Sequence, residues 1–215
     1  MIVEAWKGEP FSYHGEFYDF DEIAVSPRSY QQPHPPLLMA ATSADTFPLV
    51  GELGLPIFVG LRGGDVAQMR GHLAAYREAW RAAGHPGDGD VLLRIPVYVA
   101  PTMAEAIEEP RESTEHFLER QAVISRSSLG RAGGGPETLR LAEAERLESL
   151  TYEEVLATKV AFGTSAALVD RLGELREELG FRGVVAELNA GGLIPAEAVM
   201  RSLRLLTHEV MPALR

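Results

Sequence analysis

The chain has 215 residues, 46% of them apolar and 24% charged, and its 31 acidic against 20 basic side chains leave a formal charge of −11. That length can bury the core of one ordinary domain, and the mixture is that of a globular protein. The acidic balance argues against nucleic acid and anionic membranes as partners, and the lack of cysteine excludes disulfides and thiolate metal sites.

Met1 to Lys7 reads as the tail of a helix, with Ile2, Val3 and Trp6 on one face. The aromatic segment Phe11 to Tyr18 alternates apolar and polar residues, which predicts extended backbone or a hairpin. Pro27, Pro33, Pro35 and Pro36 then exclude helix as far as Leu37. Leu37 to Ala41 is a short apolar run, the pattern of a strand buried on both faces. Thr42-Ser43-Ala44-Asp45 offers N-cap chemistry for a helix to about Glu52. Pro56 to Val59 reads as a second buried strand, and a helix from about Asp65 to Ala83 sets Val66, Met69, Leu73, Tyr76 and Trp80 on one stripe. That stripe is a core face. Leu92 to Ala100 is the third strand, followed by helical composition from Met103 to about Val123. Ser125 to Pro136 turns rich in serine and glycine and reads as a mobile loop. Helical patterning resumes at Glu137 and, with a break near Ser149, runs to about Lys159. Gly163-Thr164-Ser165 opens a helix that stops before Gly180, Val184 to Leu188 is the fourth strand, and Pro195 to about Leu206 the last helix.

Strand and helix alternate four times, which predicts a parallel sheet with right-handed crossovers. None of the strand ends carries the G-x-G-x-x-G of a dinucleotide-binding sheet. Strands followed by ligand-binding loops at their C-terminal ends fit a (β/α)₈ barrel better, and four units are half of one.

The motif order resembles the bacterial luciferase-like monooxygenases over essentially the whole chain. The carriers are Trp6, Gly15, Phe17 and Tyr18, then Gln32-Pro33-His34-Pro35-Pro36-Leu37-Leu38 leading into a strand. They continue with Thr42-Ser43-Ala44-Asp45-Thr46, where the luciferases carry Glu-Ser-Ala-Ser-Thr, and Gly163-Thr164-Ser165-Ala166-Ala167-Leu168, where the family has Gly-Thr-Pro. Gly191-Gly192, Pro195-Ala196-Glu197 and Glu209-Val210-Met211-Pro212-Ala213-Leu214 close the pattern. The resemblance implies an α/β fold, a partial TIM (β/α)₈ barrel holding strands five to eight. Residues 1–36 would be the lead-in, and 37–215 four βα units with an insertion near 125–140. It also implies a flavin-dependent monooxygenase using reduced FMN and O₂ on a small organic substrate. A flavin reductase partner and a homo-oligomer go with that reading. Two alternatives are an F420-dependent, hydride-transferring oxidoreductase and a non-catalytic flavin-binding or oligomerisation fragment. Strands one to four, where the family keeps its active-site histidine, have no counterpart here.

Thr42 to Thr46 is the leading site candidate. Read on its residues alone, the turn is either a helix cap or an anion cradle of hydroxyls and backbone N–H groups at a helix N-terminus. The resemblance implies the second, with Ser43 and Thr46 donating hydroxyl bonds to the flavin phosphate and Thr42 and Ala44 giving backbone contacts. Asp45 opposes an anion there unless its carboxylate points away. Gly163-Thr164-Ser165 reads as a cap, and Arg62 as a solvated arginine or a ligand contact on the functional face. The glycine-rich stretch Arg131 to Arg140 is a surface loop or, by resemblance, a cover over the flavin. His14 is a loop residue or lines the barrel mouth. The pairs Glu108-Glu109 and Glu177-Glu178 read as solvated faces. No H-x-H or H-E-x-x-H spacing supports a metal site. No apolar run approaches the roughly 18 residues of a spanning helix and no signal-peptide pattern opens the chain, so a cytoplasmic location is expected.

Overall fold

The computed structural model describes residues 1–61, 64–129 and 137–214. The chain divides into two compact units, Met1–Leu38 and Met39–Arg215.

In the first unit, α1 (Ile2–Trp6) is followed by an antiparallel hairpin of β1 (Phe11–His14) and β2 (Asp19–Ile23). Pairing of Tyr13 with Phe20 and of His14 with Asp19 sets the register. Phe20 packs edge-on against Phe11, ring centroids 5.6 Å apart, so the alternating aromatics become a cross-strand cluster. Gly15 N–H donates to the Tyr18 carbonyl at 2.9 Å and closes the connection. The proline-rich remainder holds cis peptides at Ser26-Pro27 and Gln32-Pro33.

The second unit is a five-stranded parallel sheet with helices packed on it. Its strands are β3 (Met39–Ala40), β4 (Ile57–Gly60), β5 (Val91–Val99), β6 (Ala161–Gly163) and β7 (Gly183–Glu187). Its longer helices are α3 (Val66–Ala82), α5 (Arg111–Ser127), α6 (Glu137–Ser149), α8 (Ser165–Leu179) and α9 (Ala196–Leu205). Shorter ones are α2 (Thr46–Glu52), α4 (Met103–Glu108), α7 (Tyr152–Thr158) and α10 (Met211–Ala213), the last reached through one π turn, Leu206–Val210. β5 is the hub: Ile57 of β4 pairs with Val91, Gly183 of β7 with Leu92, and Ala161 of β6 with Val97, all in parallel. Pro96, which has no N–H to give a ladder, stands between the last β4 pairing at Arg94 and the first β6 pairing at Val97.

The alternation of β5 separates two environments. Val91, Leu93, Ile95, Val97 and Val99 are buried against Leu73 and Tyr76 of α3 and Leu168, Leu172 and Leu175 of α8. Arg94, Pro96 and Tyr98 point to the opposite face. The expected stripe of α3 is core, and Asp65 caps that helix by accepting from Gln68 N–H at 2.8 Å. Gly180 ends α8 in the left-handed conformation (φ +63°), which a glycine adopts without a Cβ penalty.

The structure differs from the sequence reading in several places. The first is β3, which is two residues long with Ala40 exposed and not a strand from Leu37 buried on both faces. β6 is a strand the apolar periodicity does not announce, because it is three residues long. The helical stretch after Met103 is two helices separated at Pro110, and the second runs through Ser127, where Arg126 meets Glu148 of α6 at 2.6 Å. Of the rest of the predicted loop, Ser128 and Leu129 form a turn, and residues 130–136 lie outside the described residues, as does Arg62.

Candidate functional site

Every strand pairing in the second unit is parallel, so the segments after each strand emerge at one end of the sheet. The turn after β3 lies there. Ala41 is buried and its N–H donates to the Phe58 carbonyl at 3.2 Å, which ties the start of the turn to β4. Phe47, 1% exposed, anchors the first turn of α2 in the core. Between these anchors Thr42 to Asp45 are exposed and Thr46 is half-buried.

Among the described residues neither hydroxyl of this turn makes a cap hydrogen bond. Asp45 occupies the N-cap position in a helical conformation (φ −69°, ψ −22°) and makes no side-chain cap hydrogen bond. The Ser43 and Thr46 hydroxyls lie 2.8 Å from each other, and Thr46 N–H donates to the Ser43 carbonyl at 3.0 Å. Pro48 removes one donor from the first turn, so the donors left there are few and their placement matters. The contrast with Thr164 is instructive: its hydroxyl accepts from Ala167 N–H at 3.4 Å and caps α8.

The opposite face of β5 carries charges that the motif reading missed. Arg94 is hydrogen-bonded to Glu187, the last residue of β7, in a half-buried ion pair. The pair borders a small cavity between the sheet and α5, with Lys159 on another wall and Leu61, Phe117, Leu118 and Val155 supplying apolar surface. The cavity's volume is about 40 Å³, room for a compact group. Lys159 is 6% exposed, and its Nζ donates to the Gly64 carbonyl. Burial lowers its pKa to about 8; the Arg146 cation adds to the effect and Asp65 opposes it. The sequence signal was a charged residue inside each of two apolar runs, Arg94 in Val91–Val99 and Glu187 in Gly183–Glu187. Their pairing spans 93 positions and is visible only in the fold.

Beside it, Tyr98 donates to Glu109, which Arg201 also holds at 2.5 and 2.6 Å. Burial, reinforced by the Glu109 carboxylate, pushes the Tyr98 phenol far above its ordinary value. Glu109 is therefore part of a half-buried network and not the solvated charge expected; Glu108, bonded to Arg111 at 2.8 Å, does face solvent. Glu177 and Glu178 are exposed. The loop after β7 is fixed to α5: the Ser113 hydroxyl donates to the Ala190 carbonyl at 2.7 Å and accepts from Leu193 N–H at 3.0 Å. His14 ends β1 in the first unit, 2.6 Å from Asp19 and 3.4 Å from Asp21. Among the described residues no group of three or more His, Asp or Glu side chains is placed to hold a metal ion, and no helix is long and apolar enough to cross a membrane.

The sequence pattern of the luciferase-like monooxygenases matches residues 1–183. The oxygenase component of a flavin-dependent trigonelline monooxygenase from Acinetobacter baylyi is 29% identical over 222 residues, which cover 99% of this chain and 57% of that protein. Two solved structures share the fold over the full length of this chain and 61% of their own. One is the oxygenating constituent of 3,6-diketocamphane monooxygenase from Pseudomonas putida, in complex with FMN (TM-score 0.70, 20% identity). The other is the coenzyme F420 dependent tetrahydromethanopterin reductase from Methanopyrus kandleri (TM-score 0.68, 19% identity). The chain thus spans about three-fifths of the length of these relatives. A parallel α/β sheet shared with luciferase-like barrels and a family pattern over most of the residues lead to one statement: this chain belongs to the luciferase-like monooxygenase family.

Proposed function

We propose that the chain is the C-terminal part of a luciferase-like, flavin-dependent monooxygenase barrel, with β3, β4, β5 and β7 as strands five to eight. In this reading the turn Thr42–Thr46 holds the phosphate of reduced FMN. The observation that carries it is the pair of adjacent hydroxyls at the ligand end of the sheet, on a helix whose first turn has no side-chain cap. Ser43 and Thr46 turn their hydroxyl hydrogens toward the phosphate, and the backbone of Thr42 and Ala44 completes the cradle. The exposed Asp45 carboxylate turns to solvent. Reduced FMN, when bound, supplies the electrons with which O₂ is activated toward a small organic substrate. The protein's part is to grip the anionic tail and orient the ring system it carries. A separate flavin reductase supplies the reduced cofactor, in keeping with a relative that is an oxygenase component, and the protein works as a cytoplasmic homo-oligomer.

Each hydroxyl bond to a charged phosphate is worth about 1.5–3 kcal/mol. Ser43→Ala and Thr46→Ala should therefore each weaken FMN binding roughly tenfold or more while leaving riboflavin, which lacks the phosphate, unchanged. Equal losses for both flavins would refute the assignment. A second reading, F420 as the cofactor, draws on the likeness to an F420-dependent reductase at a nearly equal TM-score; direct titration with each cofactor separates the two. We further propose that turnover needs four more βα units. The 215-residue chain should not couple flavin oxidation to substrate oxygenation, and efficient coupling by the chain alone would overturn that part.

A further inference from the structure

The cavity under α5 is bordered by a buried ammonium, Lys159, that forms no ion pair among the described residues. Arg94 and Glu187 neutralise each other across its floor. Lys159, 94% buried, has three ammonium hydrogens and, among the described residues, one acceptor, the Gly64 carbonyl. The other charges that act on it are Arg146 and Asp65. Arg146 is a cation, and the Asp65 carboxylate is engaged by Gln68 N–H as the cap of α3. An ammonium taken out of water is costly unless an anion meets it. Among the described residues only Asp65 acts on it with opposite charge, and no carboxylate is within ion-pair distance.

We propose that this cavity is a carboxylate pocket: Lys159 Nζ donates to the anionic end of a small organic acid whose apolar body lies on Leu61, Phe117, Leu118 and Val155. Glu187 keeps the Arg94 guanidinium oriented and cancels its charge, so the pocket takes one negative charge and discriminates against neutral analogues. The volume fits a carboxylate group beside Lys159. The inference rests on the proposed ligand end of the sheet and names a substrate class for it, small monocarboxylates. The binding itself does not depend on flavin.

The test uses propionate and its neutral isostere propionamide, followed by NMR of protein labelled at the lysine side chains. Propionate should shift the Lys159 ε-carbon resonance and raise that residue's pKa, and its affinity should fall as pH climbs past about 8. Propionamide should bind at least tenfold more weakly, and Lys159→Met and Lys159→Gln should each cut propionate affinity at least tenfold. Equal binding of acid and amide, or full propionate affinity in both variants, would overturn the proposal. So would loss of the preference for FMN over riboflavin in Lys159→Met, because Lys159 would then serve the flavin phosphate. Propionate binding at Lys159 in a protein with no such flavin preference supports the pocket and refutes the flavin turn instead.

Discussion

Replacing Lys159 by methionine should make the protein more stable. The side chain keeps its length and apolar stem, and what disappears is the buried ammonium. Lowering a lysine from 10.5 to about 8 corresponds to about 3 kcal/mol of unfavourable burial, at roughly 1.4 kcal/mol per pH unit. Losing the bond to the Gly64 carbonyl gives back about 1 kcal/mol. The net gain is about 2 kcal/mol, which for a chain of this size raises Tm by roughly 4–8 °C. The pH dependence carries the sign. The folded protein sheds the Lys159 proton first, so between about pH 8 and 10.5 the unfolded chain holds more protons and the native protein gains stability as pH rises. Below that window the penalty is complete. Urea unfolding of both proteins at pH 7 and at pH 9.5 should show a gap that is large at the lower pH and narrower at the higher. A variant no more stable than the native protein at pH 7, or a gap indifferent to pH, would refute the reasoning. Saturating propionate should close the gap from the other side, by stabilising the native protein alone.

Three further outcomes follow from packing within the second unit. Gly191→Ala places a Cβ 1.9 Å from the Ser113 carbonyl oxygen at φ +98°, so it should detach the β7–α9 loop from α5 and cost about 3 kcal/mol or more in denaturant unfolding. Tyr98→Phe removes one donor from Glu109 and leaves the Arg201 bonds, so chemical denaturation should show a loss of about 1–2 kcal/mol. Leu175→Ala opens a cavity between α8 and the sheet at a fully buried position, a loss of about 2–5 kcal/mol in the same assay.

The sheet was legible where an apolar run was long enough to have one meaning. Val91–Val99 and Gly183–Glu187 read as strands within one residue of their ends; α3 followed from its stripe, and α8 from the Gly163-Thr164-Ser165 opening and the stop at Gly180. β6 was not legible, because Ala161–Gly163 is too short to show a period and becomes a strand only beside Val97 to Val99. Pro110 was passed over because helical composition continues on both sides of it. At the candidate site the sequence singled out the hydroxyl turn and left cap and cradle open; the structure adds that the Ser43 and Thr46 hydroxyls lie 2.8 Å apart and that Asp45 makes no side-chain cap bond. Lys159 offered no signal at all. A lysine at the end of a short helix ordinarily faces water, and its burial depends on Leu61, Phe117 and Leu118, which lie far from it in sequence.

The most direct test of the flavin assignment is a crystal structure of the protein soaked with FMN. Phosphate oxygens should lie roughly 2.6–3.2 Å from both Ser43 Oγ and Thr46 Oγ1, with the Asp45 carboxylate turned away. A phosphate seated against Lys159, or at any other part of the sheet's C-terminal end, with Ser43 and Thr46 still bonded only to each other, would contradict it.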